Sequence, residues 1–206
     1  MNQKQIFTEY WNVLNDFEDF MDDRFRRNRG AAPHFKVNIK KALPESPGLC
    51  KSCTLHEHNE LRSPVLGEGE CSLLIVNRAL PLILAERGDH FTLPEKDAVS
   101  KWLEAIGLDM NRDCLITPLL FCPVKDPLHP AAESVETCFP FLERLIAKTK
   151  PKAIMVLGPE MGAYFSKITN IPIFATHHPS DVLINQSLKR PVWEVLKKIK
   201  GAVFGN

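Results

Sequence analysis

The chain has 206 residues, of which 44% are apolar, 25% charged and 8% aromatic, enough for one well-buried domain with an appendage and too few for two comfortable ones. Lysine and arginine number 26 against 25 aspartates and glutamates, a balance that excludes a generally basic nucleic-acid coat and an acidic disordered tail, so any polyanion has to be held locally. No apolar run reaches the roughly 18 residues of a bilayer crossing, and the N-terminus has neither a basic stretch nor a small-residue cleavage site, so a cytoplasmic protein without membrane contact is expected.

From Ile6 to Phe25 the apolar residues Ile6, Tyr10, Leu14, Phe17, Met21 and Phe25 recur every third or fourth position, which predicts an amphipathic helix. Residues 1–29 therefore read as an N-terminal helical arm, suited to docking a protein partner, with Arg24, Arg26, Arg27 and Arg29 at its end. Gly30, Pro33, Pro44, Pro47 and Gly48 make residues 30–48 a linker. From residue 49 to 206 short apolar runs alternate with helical periodicity. Ser72–Val76, Cys114–Leu120, Ala153–Leu157 and Ile171–Ala175 are predicted strands, and Lys96–Ile106, Glu133–Lys148 and Pro191–Lys200 predicted helices, with Leu142, Leu145 and Ile146 in the core. Strand and helix in alternation predict an α/β domain whose parallel sheet is covered on both faces. Ligands of such sheets collect beyond the carboxyl ends of the strands, which directs attention to the segments after Val76, Leu120, Leu157 and Ala175. A monomer is expected.

Nothing directs the six cysteines to an oxidising compartment, so thiolate chemistry is a better reading of them than disulfides. Cys50 and Cys53 form a C-x2-C pair, Cys122 follows the second strand, and Cys138 lies on the next helix. Spacing alone leaves three readings open. An iron–sulfur cluster accepts ligands from scattered loops and helices, a zinc ribbon would normally bring a second tight C-x2-C knuckle, and core cysteines need no ligand at all. Cys71 and Cys114 read as small apolar residues.

The stretch from Cys50 to Lys200 resembles the family 4 uracil-DNA glycosylases of the uracil-DNA glycosylase superfamily. The resemblance is carried by Cys50-Lys-Ser-Cys53, Gly67-Glu-Gly69, Leu73–Val76, Gly88-Asp-His-Phe91, Ile116-Thr117 before Cys122, Cys138, Lys150-Pro-Lys152 before Leu157-Gly158, and His178-Pro179-Ser180. It implies a three-layer α/β/α sandwich with a short central parallel sheet. It also implies a structural [4Fe–4S] cluster held by Cys50, Cys53, Cys122 and Cys138. The implied activity is hydrolysis of the N-glycosidic bond of uracil or another damaged base in DNA, with DNA, single- or double-stranded, as partner.

Carried over residue by residue, the resemblance puts Phe91 at the ring that stacks on the base and His178 at the histidine that stabilises the departing base. Asn77 and Arg78 take substrate-facing places in the segment matching the family's GEAPG, which here reads Asn77-Arg78-Ala79-Leu80-Pro81. Arg78 thus replaces the acid that positions water, and Pro118 replaces the base-reading asparagine. A cation at that place should oppose the cation-like sugar of the transition state. Glu86, His90 and His177 are candidate substitutes. Ser180 could hold a phosphate, with Lys189 and Arg190 adding contacts, while Asp181 beside them should repel one. Beside the glycosylase stand two alternatives: a catalytically inactive homologue kept as a DNA- or protein-binding module, and a zinc-bound structural protein.

Overall fold

The computed structural model describes Cys50 and residues 53–58, 61–67, 71–166, 168 and 170–205. The N-terminal arm, the linker and the Arg24–Arg29 cluster lie outside the described residues. A short helix α1 (Leu55–His58) precedes β1 (Leu73–Asn77), α2 (Leu82–Arg87), α3 (Leu93–Ala105), β2 (Cys114–Pro118), α4 (Ala132–Thr149), β3 (Ala153–Leu157), β4 (Ile173–Thr176), α5 (Pro179–Ile184) and α6 (Lys189–Phe204), with 3-10 turns over Pro159–Phe165 and Gln186–Leu188.

The strands form one sheet in the order β2-β1-β3-β4, every pairing parallel. Each of β1, β2 and β3 is buried along its whole length, which is why they read as unbroken apolar runs rather than as alternation. Leu73 and Ile75 face the side covered by α3 and α6, where they join Trp102, Leu103, Leu196 and Ile199. Leu74 and Val76 face the other side, with Leu142, Leu145 and Ile146 of α4 and Met161 and Phe165 of the 3-10 turn. The chain thus has the expected three layers.

β2 stops at Pro118, two residues short of the predicted end, because proline has no N–H with which to extend the ladder; the Leu119 N–H still reaches Asn77 O at 2.9 Å. Helix α3 starts earlier than its apolar periodicity. Thr92 and Glu95 form a reciprocal capping box at its N-terminus, with Pro94 in the first turn. Since β1 connects outward to β2 and β3 outward to β4, the switch point of the sheet lies between the ends of β1 and β3, where the crevice of such a fold opens. Among the described residues no helix is long and apolar enough to cross a membrane.

Candidate active site

The rim is organised on Asn77, the last residue of β1. Its Nδ2 donates to His90 O at 2.8 Å, while its Oδ1 accepts from the Arg78 backbone N–H at 2.8 Å and lies 2.9 Å from His178 Nε2. A backbone carbonyl only accepts and a backbone N–H only donates, so these partners orient the amide and require the His178 proton on Nε2. Across the ring, Nδ1 accepts from the Ser180 N–H at 3.1 Å, which makes His178 the N-cap of α5. Both nitrogens therefore fit the neutral Nε2–H tautomer. Burial, with the nearby Arg78 charge, pushes the His178 pKa down to about 4, and the imidazole is an uncharged donor at neutral pH.

Burial also pushes His90 down to about 4. Both histidines are neutral in the native chain but return towards the ordinary 6.5 when unfolded. Between those values the unfolded state binds more protons, so stability rises with pH through that window and is complete above it. Denaturant midpoints are expected to be flat above about pH 6.5 and to fall from there towards pH 4. The fall should be shallower when His178 is replaced by Asn.

Arg78, directly after the strand, does not stand alone. Its Nη2 and Nη1 grip Asp181 Oδ2 and Oδ1 at 2.7 and 3.2 Å, and its Nε donates to Glu160 Oε1 at 3.0 Å. Gly158 at the end of β3 makes room for this, since a Cβ there would lie 2.6 Å from Glu160 Oε1 and 3.1 Å from Arg78 Nε. Burial raises the Asp181 pKa, but Arg78 more than offsets it and the group ends below the usual carboxylate range. The sequence expectations for these two residues are corrected accordingly. One guanidinium faced by two carboxylates is a net negative cluster, and the Asp181 charge is drawn to Arg78 instead of facing outward to repel a phosphate. Replacing Arg78 by Ala leaves two carboxylates without their counter-charge and is expected to cost about 1–3 kcal/mol, less than a fully buried pair because both partners are partly exposed. A denaturant double-mutant cycle checks this: Asp181→Ala on that background should recover part of the loss.

On the α4 side of the sheet a second feature forms. Cys50, Cys53, Cys122 and Cys138 line one small cavity, together with Leu55, Leu120, Phe121 and Phe141. Arg62, also on its wall, donates from Nη2 to Cys50 O at 3.1 Å. Burial pushes the Cys138 thiol up to about 11 and raises that of Cys122. Among the described residues no three histidine, cysteine or acidic side chains make a ready group for a metal ion. The four thiols line the cavity without forming such a group. Cys114 is buried at the start of β2 and Cys71 is half-buried.

The sequence profile of the Uracil DNA glycosylase superfamily matches residues 66–200. The chain belongs to this superfamily. It is 27% identical over 178 residues to a type-4 uracil-DNA glycosylase of Sulfurisphaera tokodaii, covering 73% of this chain and 79% of that one. It is 24% identical over 181 residues to a type-4 uracil-DNA glycosylase of Saccharolobus solfataricus, covering 75% and 82%.

Within this superfamily member the structure brings Asn77, Arg78, Phe91, His178 and Ser180 to the carboxyl ends of the strands. Phe91 is 5% exposed and packs in the same cluster as Val99 and Trp102; its ring centroid is 6.2 Å from that of His178. Ser180 Oγ lies 2.7 Å from His178 Nδ1 and 3.2 Å from Asp181 Oδ1, so the hydroxyl serves the rim itself. Pro118 pairs in register with Asn77 and offers the rim no donor. Lys189 and Arg190 open α6, beyond the 3-10 turn, with Arg190 exposed. Of the candidate substitutes, Glu86 is exposed on α2 and His177 is half-buried. His90 is buried, with Nε2 2.6 Å from Pro64 O. Sequence reasoning missed Glu160 and the pairing of Arg78 with Asp181. The signal was available: Arg78 and Asp181, two opposite charges, each follow directly on a motif residue of the rim, Asn77 and Ser180.

Proposed function

We propose that the protein is a [4Fe–4S]-bearing DNA glycosylase of base-excision repair, hydrolysing the N-glycosidic bond of uracil or another damaged base. The observation that carries this is the neutral His178, held at the sheet's rim with its Nε2–H as donor and the Phe91 ring beside it. In this reading the nucleotide leaves the stack and its base lies against Phe91. As the glycosidic bond breaks, the electron pair departs with the base, and Nε2–H turns from Asn77 Oδ1 to the developing anion. The sugar, which gains positive charge, faces the net negative Arg78–Glu160–Asp181 cluster, and this supplies the electrostatic part of what the missing acid would give. Water then adds to the sugar and loses a proton to solvent.

Lys189 and Arg190 are assigned to backbone phosphates, and the exposed Leu183 and Ile184, just after the HPS turn, to the space the flipped base leaves. Cys50, Cys53, Cys122 and Cys138 would hold the cluster. Four thiols that line one cavity from a short N-terminal segment, a loop and a helix fit a cuboid, which accepts scattered ligands, better than a zinc ribbon with its paired tight knuckles. When bound, such a cluster ties the segment before β1 to the loop after β2 and to α4, and no step of base release passes through it.

The test is incubation of the full chain, purified anaerobically, with single strands carrying uracil, hypoxanthine or xanthine, followed by alkali. Strand breaks at the modified base are expected. Their absence for every base at stoichiometric protein would overturn the proposal in favour of a non-catalytic DNA-binding homologue. That second reading is favoured by one observation, that Arg78 stands in the place of the water-positioning acid.

A further inference from the structure

His90 belongs to none of the steps above, yet it is buried more deeply than Phe91 or His178. It is 2% exposed and sits between two elements that frame the end of β2. On one side its carbonyl accepts from Asn77 Nδ2 at 2.8 Å, and Asn77 is the register partner of Pro118. On the other its ring Nε2 lies 2.6 Å from Pro64 O. The 63–66 segment runs antiparallel to β2 and the loop after it: Leu66 and Ile116 exchange hydrogen bonds at 2.8 Å, and the Ser63 N–H reaches Phe121 O at 2.7 Å. Pro64 therefore lies beside the carboxyl end of β2, and the imidazole is held there at its carbonyl.

A carbonyl only accepts, so Nε2 carries the proton and Nδ1 is left with a bare lone pair. That Nδ1 is buried and has no hydrogen-bond partner among the described residues. A buried acceptor without a donor is costly, and the protein keeps one beside Phe91, whose ring centroid is 6.4 Å from that of His90 and 6.2 Å from that of His178. The two histidines flank the phenylalanine, and one asparagine side chain is bonded to both, through the His90 carbonyl and the His178 ring. Pro118 supplies neither side-chain amide nor N–H at this edge.

Resting on the glycosylase reading, we propose that His90 reads the base: its Nδ1 accepts the ring N–H of a lactam base, as in uracil or hypoxanthine, laid against Phe91. A base whose ring nitrogen at that edge is itself an acceptor, such as cytosine, would set lone pair against lone pair and be refused. His90 thereby selects the base, whereas His178 stabilises its departure.

The experiment measures equilibrium binding of the full, cluster-loaded chain to single strands of one sequence. The central residue is 2′-fluorinated deoxyuridine, which resists hydrolysis, its N3-methyl counterpart, which lacks the N–H, or an abasic tetrahydrofuran. The native chain is expected to prefer uracil over N3-methyluracil by about tenfold. His90→Leu should bring the ratio near one with abasic affinity unchanged, and His90→Gln, which retains an acceptor, should keep part of it. Because both variants disturb the bond to Pro64, the native chain with 15N-labelled histidine provides a second readout. The His90 Nδ1 resonance should shift with the uracil strand and stay put with the abasic one. A His90→Leu chain that keeps the ratio, or an unmoved resonance, overturns the assignment while leaving the glycosylase reading intact. A native chain that does not distinguish uracil from N3-methyluracil also overturns the assignment, whereas one that breaks strands at no modified base overturns the glycosylase reading and the assignment together.

Discussion

Replacing His178 by asparagine should lower the rate of base release by about 10²–10³-fold, the loss found when one preorganised donor to a developing anion is removed. Asparagine is chosen because His178 has two roles that alanine would remove together. The ring Nδ1 caps α5 by accepting from the Ser180 N–H, and an asparagine oxygen can take over that bond. The donor presented by Nε2, 2.9 Å from Asn77 Oδ1, has no equivalent in the shorter amide. His178→Ala should show the same kinetic loss with a further stability cost of about 1 kcal/mol from the lost cap. Single-turnover release of base checks the first effect and a denaturant midpoint the second. Because His178 is already neutral, with its pKa near 4, the native rate should not follow an imidazole titration between pH 5 and 8. A rate that rises with a midpoint near 6.5 would mean that the histidine is charged in the resting site and acts as something other than a neutral donor.

The carboxyl-end rim was legible in the sequence because the three fully buried strands are almost wholly apolar, and the segments that follow them carry the polar residues. His178, Phe91 and Asn77 were placed by motif register, and the sheet brings them together as the α/β pattern requires. Electrostatics were misjudged for a physical reason. A sequence displays Arg78 as a lone charge, whereas its meaning depends on Glu160 and Asp181, which lie 82 and 103 positions away. The same holds for restoring an acid at that place. Arg78→Glu alone would gather three carboxylates against Gly158, so a reconstruction has to remove Asp181 as well. His90 was visible only as a histidine beside Phe91; its orphaned Nδ1 depends on the antiparallel course of residues 63–66 along β2, a pairing carried by Leu66 as a single bridge.

Loss of the cluster ligands should have the largest effect on the fold. Where a metal group forms only on the folded chain, its binding free energy is folding free energy. Cys122→Ala is therefore expected to lower stability by about 4 kcal/mol or more and to bleach the brown absorption of anaerobically purified protein. Cys71→Ala, which does not line the cavity, should leave the colour unchanged. Iron and acid-labile sulfide of about four each per native chain are the accompanying measurement; a colourless native protein with one zinc would sink the cluster assignment. The loosening should also be local. The loop after β2 is tied to the rim by the Leu119 N–H to Asn77 O at 2.9 Å and the Val124 N–H to Leu80 O at 2.9 Å. The Leu119, Val124 and Ser63 amides should then exchange faster in the cluster-free chain, while those of β3, paired between β1 and β4, change least. Since Asn77 is the hub to which both His90 and His178 are bonded, the same loosening predicts that base selectivity declines before DNA affinity does as the cluster is lost.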